Sequence, residues 1–320
     1  MANQDPLRHF TAAIGRRYDF LYLINGKVKV EGLEVEFPPV VKGPPAPIFS
    51  ALAREHPWDI GEQGFSTYLM AFDLGKPQIA LPVFPSRFFP HPGIWVNERS
   101  GIQKPGDLVG KRVGCGSFGT NYSVWCRGVL RHQYDVAIEK ITWVESVDEH
   151  LLEYRVPKRF ALERIPGNER AAPLLAGGKI DAATMAGGGM GTELSGIRPL
   201  FQDVYPEIKE YVAANGFFPV NTVVTVSRAA VARNPEMPRL MMKAFLEAKA
   251  LYDAEISTGE EEEHMGLSLK RLESETGLRL SPYGFKANRK CIQTMIAYCY
   301  EQGIVRRLYE PEEIFLLLDS

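Results

Sequence analysis

No stretch of the 320-residue chain reaches the ~18 consecutive apolar residues that span a bilayer, so no transmembrane helix is expected. Charge leans to neither sign: 37 Lys and Arg against 39 Asp and Glu leave a formal net charge of -2. Without a basic excess there is no footprint for nucleic acid, and without an acidic tail no solvating segment. Cysteine is scarce. The four, Cys115, Cys126, Cys291 and Cys299, form no CxxC, and the six histidines form no HxxxH or HExxH. A metal centre built from these residues is therefore not expected. A GxSxG elbow and a GxxxxGK[ST] loop are also missing. The opening MANQDPLRHFTAAIGRRYDF lacks a charged segment followed by an apolar one, so no secretion signal is expected and the cytoplasm is the default location.

What is present is a soluble globular composition, 45% hydrophobic and 24% charged, in a chain long enough for two ordinary domains. Short apolar runs alternate with helical patterns. FTAAIG (10–15), LEVEF (33–37), WDIGE (58–62) and IALPVF (79–84) read as strands; PIFSALAREH (47–56) and STYLMAFDLG (66–75) read as helices. A second series starts near residue 95: GIWVN, KRVGCG, ITWVES and KIDAAT as strands, with a helix over 119–134 and a charged, irregular stretch over 148–168. TVVTVS (222–227) is a further strand. Asn234-Pro235-Glu236 opens a helix with an apolar face from Met237 to Leu251, and GEEEEH (259–264) reads as a solvated helix start. Such alternation predicts parallel sheets with helices on their faces.

Between the strand KRVG and the following helix lies Gly114-Cys115-Gly116-Ser117-Phe118-Gly119, a GxGxxG. A dinucleotide reading needs an acid at the end of the next strand, and Glu145 stands there. The motif opens only the second series, however, and a glycine turn with Ser117 leading into a helix suits a carboxylate as well as a phosphate. The favoured expectation is a ligand carboxylate, with a dinucleotide or a plain tight turn as the alternatives. Helical spacing sets Thr120 and Arg127 on one face, so Arg127 could fork that carboxylate if the face lines a cleft.

Several runs resemble known proteins. IWVNERSGIQKPGDLVGKRVG, LLAGGKIDAA and VARNPEMPRLMMKAFLEA are similar to segments of type II periplasmic-binding-protein folds. That resemblance implies an α/β protein of two lobes around a ligand cleft, residues 1–95 with 218–320 as the first and 96–217 as the second. More specifically, DIGEQGFSTYLMA, IALPVFPSRFFPH, YSVWCRGVL with HQYDV, and ITWVES with the charged stretch after it resemble the 4,5-dihydroxyphthalate decarboxylase family.

The resemblance implies a cofactor-independent decarboxylase of an aromatic dicarboxylate, needing no metal, flavin or pyridoxal. Each carboxylate of 4,5-dihydroxyphthalate is para to a hydroxyl, so removing the phenolic proton pushes electrons toward the carbon that must lose CO2 and gain a proton. On the matching positions Arg87 and Arg127, with Ser117 and Thr120 of the glycine loop and the helix after it, are expected to hold carboxylates, and Ser66 and Asn221 to face the ligand. His91 is expected to give the proton, and Glu62 to orient it or take the phenolic proton. Pro90 and Asn221 depart from the family pattern, where a basic residue and a histidine are expected, so the ring substituents are left open. The resemblance also suggests a homo-oligomer. Two other functions stay in view: a non-catalytic binding protein for a small carboxylate, and a thiamine-pyrimidine precursor synthase of the same fold. The second uses a clustered cysteine motif that Cys115 and Cys126 do not form.

Overall fold

Two mixed sheets organise the computed structural model, which describes residues 5, 7–16, 19–39, 45–165, 171–185, 194–258, 263–264, 267–279 and 281–318. The first sheet has the order β2-β1-β3-β11-β4. Its strands are β1 (His9–Ala13), β2 (Glu34–Glu36), β3 (Ile60–Gly64), β4 (Gln78–Leu81) and β11 (Thr222–Ser227). The second, in the order β10-β5-β9-β6-β7-β8, is drawn from one continuous stretch. It contains β5 (Ile94–Asn97), β6 (Arg112–Cys115), β7 (Thr142–Glu145), β8 (Ala161–Arg164), β9 (Ala182–Thr184) and β10 (Ile197–Pro199). Strands β1, β2 and β3 run parallel, as do β6 to β9, whereas β11 enters antiparallel between β3 and β4.

Helices connect these strands: α1 (Phe20–Ile24), α2 (Pro45–Arg54), α3 (Phe65–Asp73), α4 (Asn121–His132), α5 (Ala171–Ala176) and α6 (Tyr205–Asn215). After β11 follow α7 (Arg228–Arg233), α8 (Met237–Thr258), α9 (Leu269–Thr276) and α10 (Phe285–Glu301). The strand read over 79–84 stops at Leu81, because Pro82 cannot donate to a ladder. The stretch 148–168, read as irregular, contains β8, whose side chains ALER are all exposed and so carry no hydrophobic period. Asn234 Oδ1 accepts from Glu236 N at 3.0 Å, but α8 itself begins at Met237 and the short α7 precedes it. Of the acidic run 259–264 only 263–264 lie within the described residues, as a strand pairing with 267–268.

The two sheets do not have separate cores. One apolar cluster runs from Phe65, Tyr68 and Phe84 beside the first sheet to Trp125 and Trp143 beside the second, and on to Met295 and Tyr298 of α10. Helix α10 sits directly on α4: a Cβ added to Gly128 would lie 2.0 Å from the Tyr298 ring, so that contact requires a glycine. A second cluster, built on Phe10, Phe20, Ile60, Val224, Met241 and Phe245, seals α1 and α8 against the far side of the first sheet. This packing brings the carboxyl ends of β1, β3 and β4 opposite those of β6 and β7. In open α/β sheets that is where ligands bind.

Candidate active site

Strand β3 ends at Gly64, whose extended backbone turns the chain straight into α3, and β6 ends in the glycine loop that leads into α4. The two helix starts meet. Ser66 Oγ donates to the carbonyl of Gly119 at 2.8 Å, and Ser66 N donates to Asn121 Oδ1 at 2.9 Å. Asn121 Nδ2 then reaches Asn221 Oδ1 at 3.2 Å, and Asn221 Nδ2 reaches Ser86 Oγ at 3.2 Å. Ser66, Ser86 and Asn121 are buried and Asn221 is partly buried. Two helix N-termini thus converge on a nearly dry polar centre, and their dipoles favour negative charge there.

On the first wall the buried Glu62 sits in β3. Its carboxylate accepts from Gly15 N at 2.9 Å and from Thr222 Oγ1 at 2.7 Å. Nearby is Asp19, buried and hydrogen-bonded by Tyr283 Oη at 2.5 Å. Burial pushes the Asp19 carboxyl up to about 6, against the lowering effect of Tyr283 and Lys249.

On the second wall the glycine loop does bind carboxylates, and they are the protein's own. Phe118 N donates to Glu145 Oε1 at 2.8 Å, Gly119 N to Glu149 Oε1 at 2.6 Å, and Ser117 Oγ to Glu149 Oε2 at 3.0 Å. Glu145, the residue a dinucleotide reading would assign to a ribose, is used to pin the loop. Burial pushes Glu149 up to about 7, and the adjacent Glu145 adds to the effect. Thr120 Oγ1 closes the turn onto Ser117 O at 2.9 Å and also meets Ser123 Oγ at 2.9 Å. The residue after Glu149, His150, crosses to the first wall: its Nδ1 is 3.1 Å from Thr67 Oγ1, and its carbonyl accepts from Arg54 Nε at 2.7 Å.

Three expected ligand contacts are placed elsewhere. Arg127 does not line the cleft. It is fully buried, donates through Nε to Gln302 Oε1 at 2.8 Å and through Nη2 to Phe118 O, and lies 3.6 Å over the Phe118 ring. Arg87 is also spent on protein, with bonds to Phe218 O (2.8 Å), Pro282 O (2.9 Å) and Asn288 Oδ1 (2.5 Å), and burial draws it down to about 10. His91 sits in an aromatic box of Phe89, Tyr134, Phe201 and Tyr211, with Nε2 2.9 Å from Gln133 Oε1. Burial lowers it to about 4, so the ring is neutral near pH 7. Its other nitrogen, Nδ1, has no partner, so Glu62 does not orient it. By contrast Glu62, Ser66, Ser117, Thr120 and Asn221 all fall where the two sheet edges meet.

Asp19, Glu149 and His150 were not singled out from the sequence. A place at the N-terminus of α1 marks Asp19 in retrospect, since acids favour helix starts, but nothing local marks Glu149 within a charged stretch. Among the described residues, no cluster of three or more His, Cys, Asp or Glu is arranged for a metal, and no helix is long and apolar enough to cross a membrane.

No family model matches the chain. A protein from Comamonas testosteroni named 4,5-dihydroxyphthalate decarboxylase is 27% identical over 318 residues, covering 95% of this chain and 94% of that one. Another of the same name, from Pseudomonas putida, is 30% identical over 180 residues, covering 54% of this chain and 69% of that one. Among solved structures, the periplasmic sulfonate-binding protein SsuA from Methylobacillus flagellatus KT superposes with a TM-score of 0.61 at 13% identity, over 98% of this chain and 92% of that one. The fold is therefore periplasmic-binding-protein-like, as the resemblance implied, and at that identity the likeness speaks only of fold. With a match along almost its whole length and 30% identity to a second relative, the chain belongs to the 4,5-dihydroxyphthalate decarboxylase family.

Proposed function

We propose that the protein removes CO2 from an aromatic ring acid, 4,5-dihydroxyphthalate or a close analogue, without a cofactor, leaving a hydroxybenzoate such as protocatechuate. The observation that carries this reading is the near full-length similarity to an enzyme named for that reaction. The centre of the cleft supports it chemically. An acid stands on each wall, two helix N-termini turn the positive ends of their dipoles to the centre, and the surrounding side chains are almost all buried, so charge developing on the substrate is met by fixed dipoles rather than water.

In this reading the Glu62 carboxylate takes the phenolic proton. The negative charge spreads through the ring to the carbon para to that oxygen, which accepts a proton, and loss of CO2 restores aromaticity. Asn221 holds a ring oxygen through its second Nδ2 hydrogen, while the hydroxyls of Ser66, Ser117 and Thr120, which donate to Gly119 O, Glu149 and Ser117 O, can only accept from the ring hydroxyls. Arg87, Arg127 and His91 shape the walls from behind. The lobes assigned to 1–95 with 218–320 and to 96–217 close on the ring from either side.

The test is to incubate purified protein with a panel of phthalates and hydroxybenzoates, with chelator and no added cofactor, and to follow CO2. Release from at least one dihydroxyphthalate is expected. The periplasmic-binding fold gives one competing reading, a carboxylate-binding protein without turnover. Saturable binding of panel members with no CO2 from any of them would establish that reading instead.

A further inference from the structure

With His91 sealed in an aromatic box, the proton for the ring carbon needs another source. We propose that Glu149 is the acid that protonates the ring carbon, held ready by Glu145. This rests on the decarboxylase reading.

The geometry is specific. Adjacent backbone N–H groups of the glycine loop each hold one carboxyl: Phe118 N holds Glu145 and Gly119 N holds Glu149. Two carboxyls set side by side on neighbouring residues of one loop repel when both are ionised, so the pair retains a proton between them. The loop is close-fitted around them, since a Cβ on Gly119 would lie 2.9 Å from Glu149 Oε2. The residue after Glu149 bonds Thr67 at the start of α3, so the acid stands where the two sheet edges meet.

Independent of the acids, the fully buried Arg127 leaves Nη1 without a partner directly beneath the same loop, where its Nη2 holds Phe118 O. Tyr154 Oη is also buried and unpartnered, and both groups are near enough to Glu149 to act on its charge. Buried donors of this kind call for an oxygen acceptor that the chain does not supply, a water and, through it, a substrate carboxylate. The charged or titratable groups facing Glu149 are thus Glu145 from β7, Cys115 from β6, Arg127 from α4, Tyr154 from the segment that follows Glu149 and, on its backbone, Arg54 from α2.

The step balances. The Glu149 proton bonds to the ring carbon that carries the departing carboxylate, leaving Glu149 ionised. The carbon–carbon bond then breaks, its electron pair returns to the ring, and CO2 leaves. Glu62 gives the phenolic oxygen back its proton, and Glu149 recovers one from solvent, so each CO2 consumes one proton.

The proposal is tested with Glu149→Gln, Glu149→Asp and Glu145→Gln, following CO2 release against pH and the binding of phthalate by calorimetry. Glu149→Gln should lower kcat by about 10²- to 10⁴-fold, with phthalate affinity within about threefold. Glu149→Asp should recover part of the loss. Because the acid must be protonated, wild-type kcat should fall as pH rises through about 7. Removing the Glu145 charge should move that fall to lower pH, a shift a purely structural role would not produce. Turnover of Glu149→Gln within tenfold of wild type would overturn the assignment. If that variant does not fold, an unmoved alkaline limb in Glu145→Gln overturns it equally. Wild-type protein that releases no CO2 from any substrate would instead remove the decarboxylase reading, and this one with it.

Discussion

Glu62→Gln should lower turnover by about two to four orders of magnitude while the protein stays folded. The side chain is buried at the end of β3, and its oxygens accept from Gly15 N and Thr222 Oγ1. Glutamine keeps one acceptor oxygen and nearly the same volume, so β1, β3 and β11 remain in register there. What it loses is the ability to take a proton. General base catalysis of this kind is typically worth about 10²- to 10⁴-fold, and since the interaction matters only as the phenol ionises, kcat and kcat/KM should fall together. Steady-state CO2 release measured beside a circular dichroism melt separates this from unfolding. A kcat within tenfold of wild type would exclude Glu62 as the base, and Asp19, the next buried carboxyl on the same wall, would be the residue to change.

The second large effect is on stability. Arg127→Ala should destabilise the fold by about 3 to 5 kcal/mol. The guanidinium bridges α4 to α10 through Gln302, holds Phe118 O, and covers the Phe118 ring from one side with Trp143 nearby. Truncation strands two buried acceptors, each costing about 1 to 3 kcal/mol, and opens a void in a core where large-to-alanine changes cost about 2 to 5 kcal/mol. These terms overlap because the site relaxes. Arg127→Met should be milder, since it refills the space and removes a charge whose desolvation opposes folding. Thermal melts of the ligand-free variants give the answer. An alanine variant that melts with wild type would mean the bridge carries no load.

The Arg127 result shows where sequence reasoning stops. Periodicity correctly sets Thr120 and Arg127 on one side of a helix, but α4 is buried from Asn121 through Leu130, all the way round. A helix with no solvent face has no pattern that tells cleft from core, so the direction of Arg127 had to come from tertiary packing. The alternation of strands and helices was legible because β4 and, up to Val226, β11 are buried and read as short runs of apolar and small residues after Gln78, although β3, equally buried, carries Glu62 and Gln63. Strand β8 was not, being an edge strand with every side chain exposed. The glycine loop was legible as an anion site. Its occupants were not, because Glu149 lies 30 residues along the chain from Gly119 and nothing local ties the two together.

The order of the first sheet also bears on how the polypeptide is made. Strands β3 and β4 are never neighbours; β11 lies between them, yet β4 ends at Leu81 and β11 begins at Thr222. During synthesis the six strands of the second sheet emerge and can pair while β3 and β4 still present open edges, the kind of surface that invites pairing with another chain. The nascent protein therefore carries a protected middle and a vulnerable beginning until residue 227 clears the ribosome. Stalled chains ending just before and well past that point should differ sharply in protease resistance over residues 58–81 and little over 94–199. Equal resistance of the early segment in both would mean that it is shielded without β11.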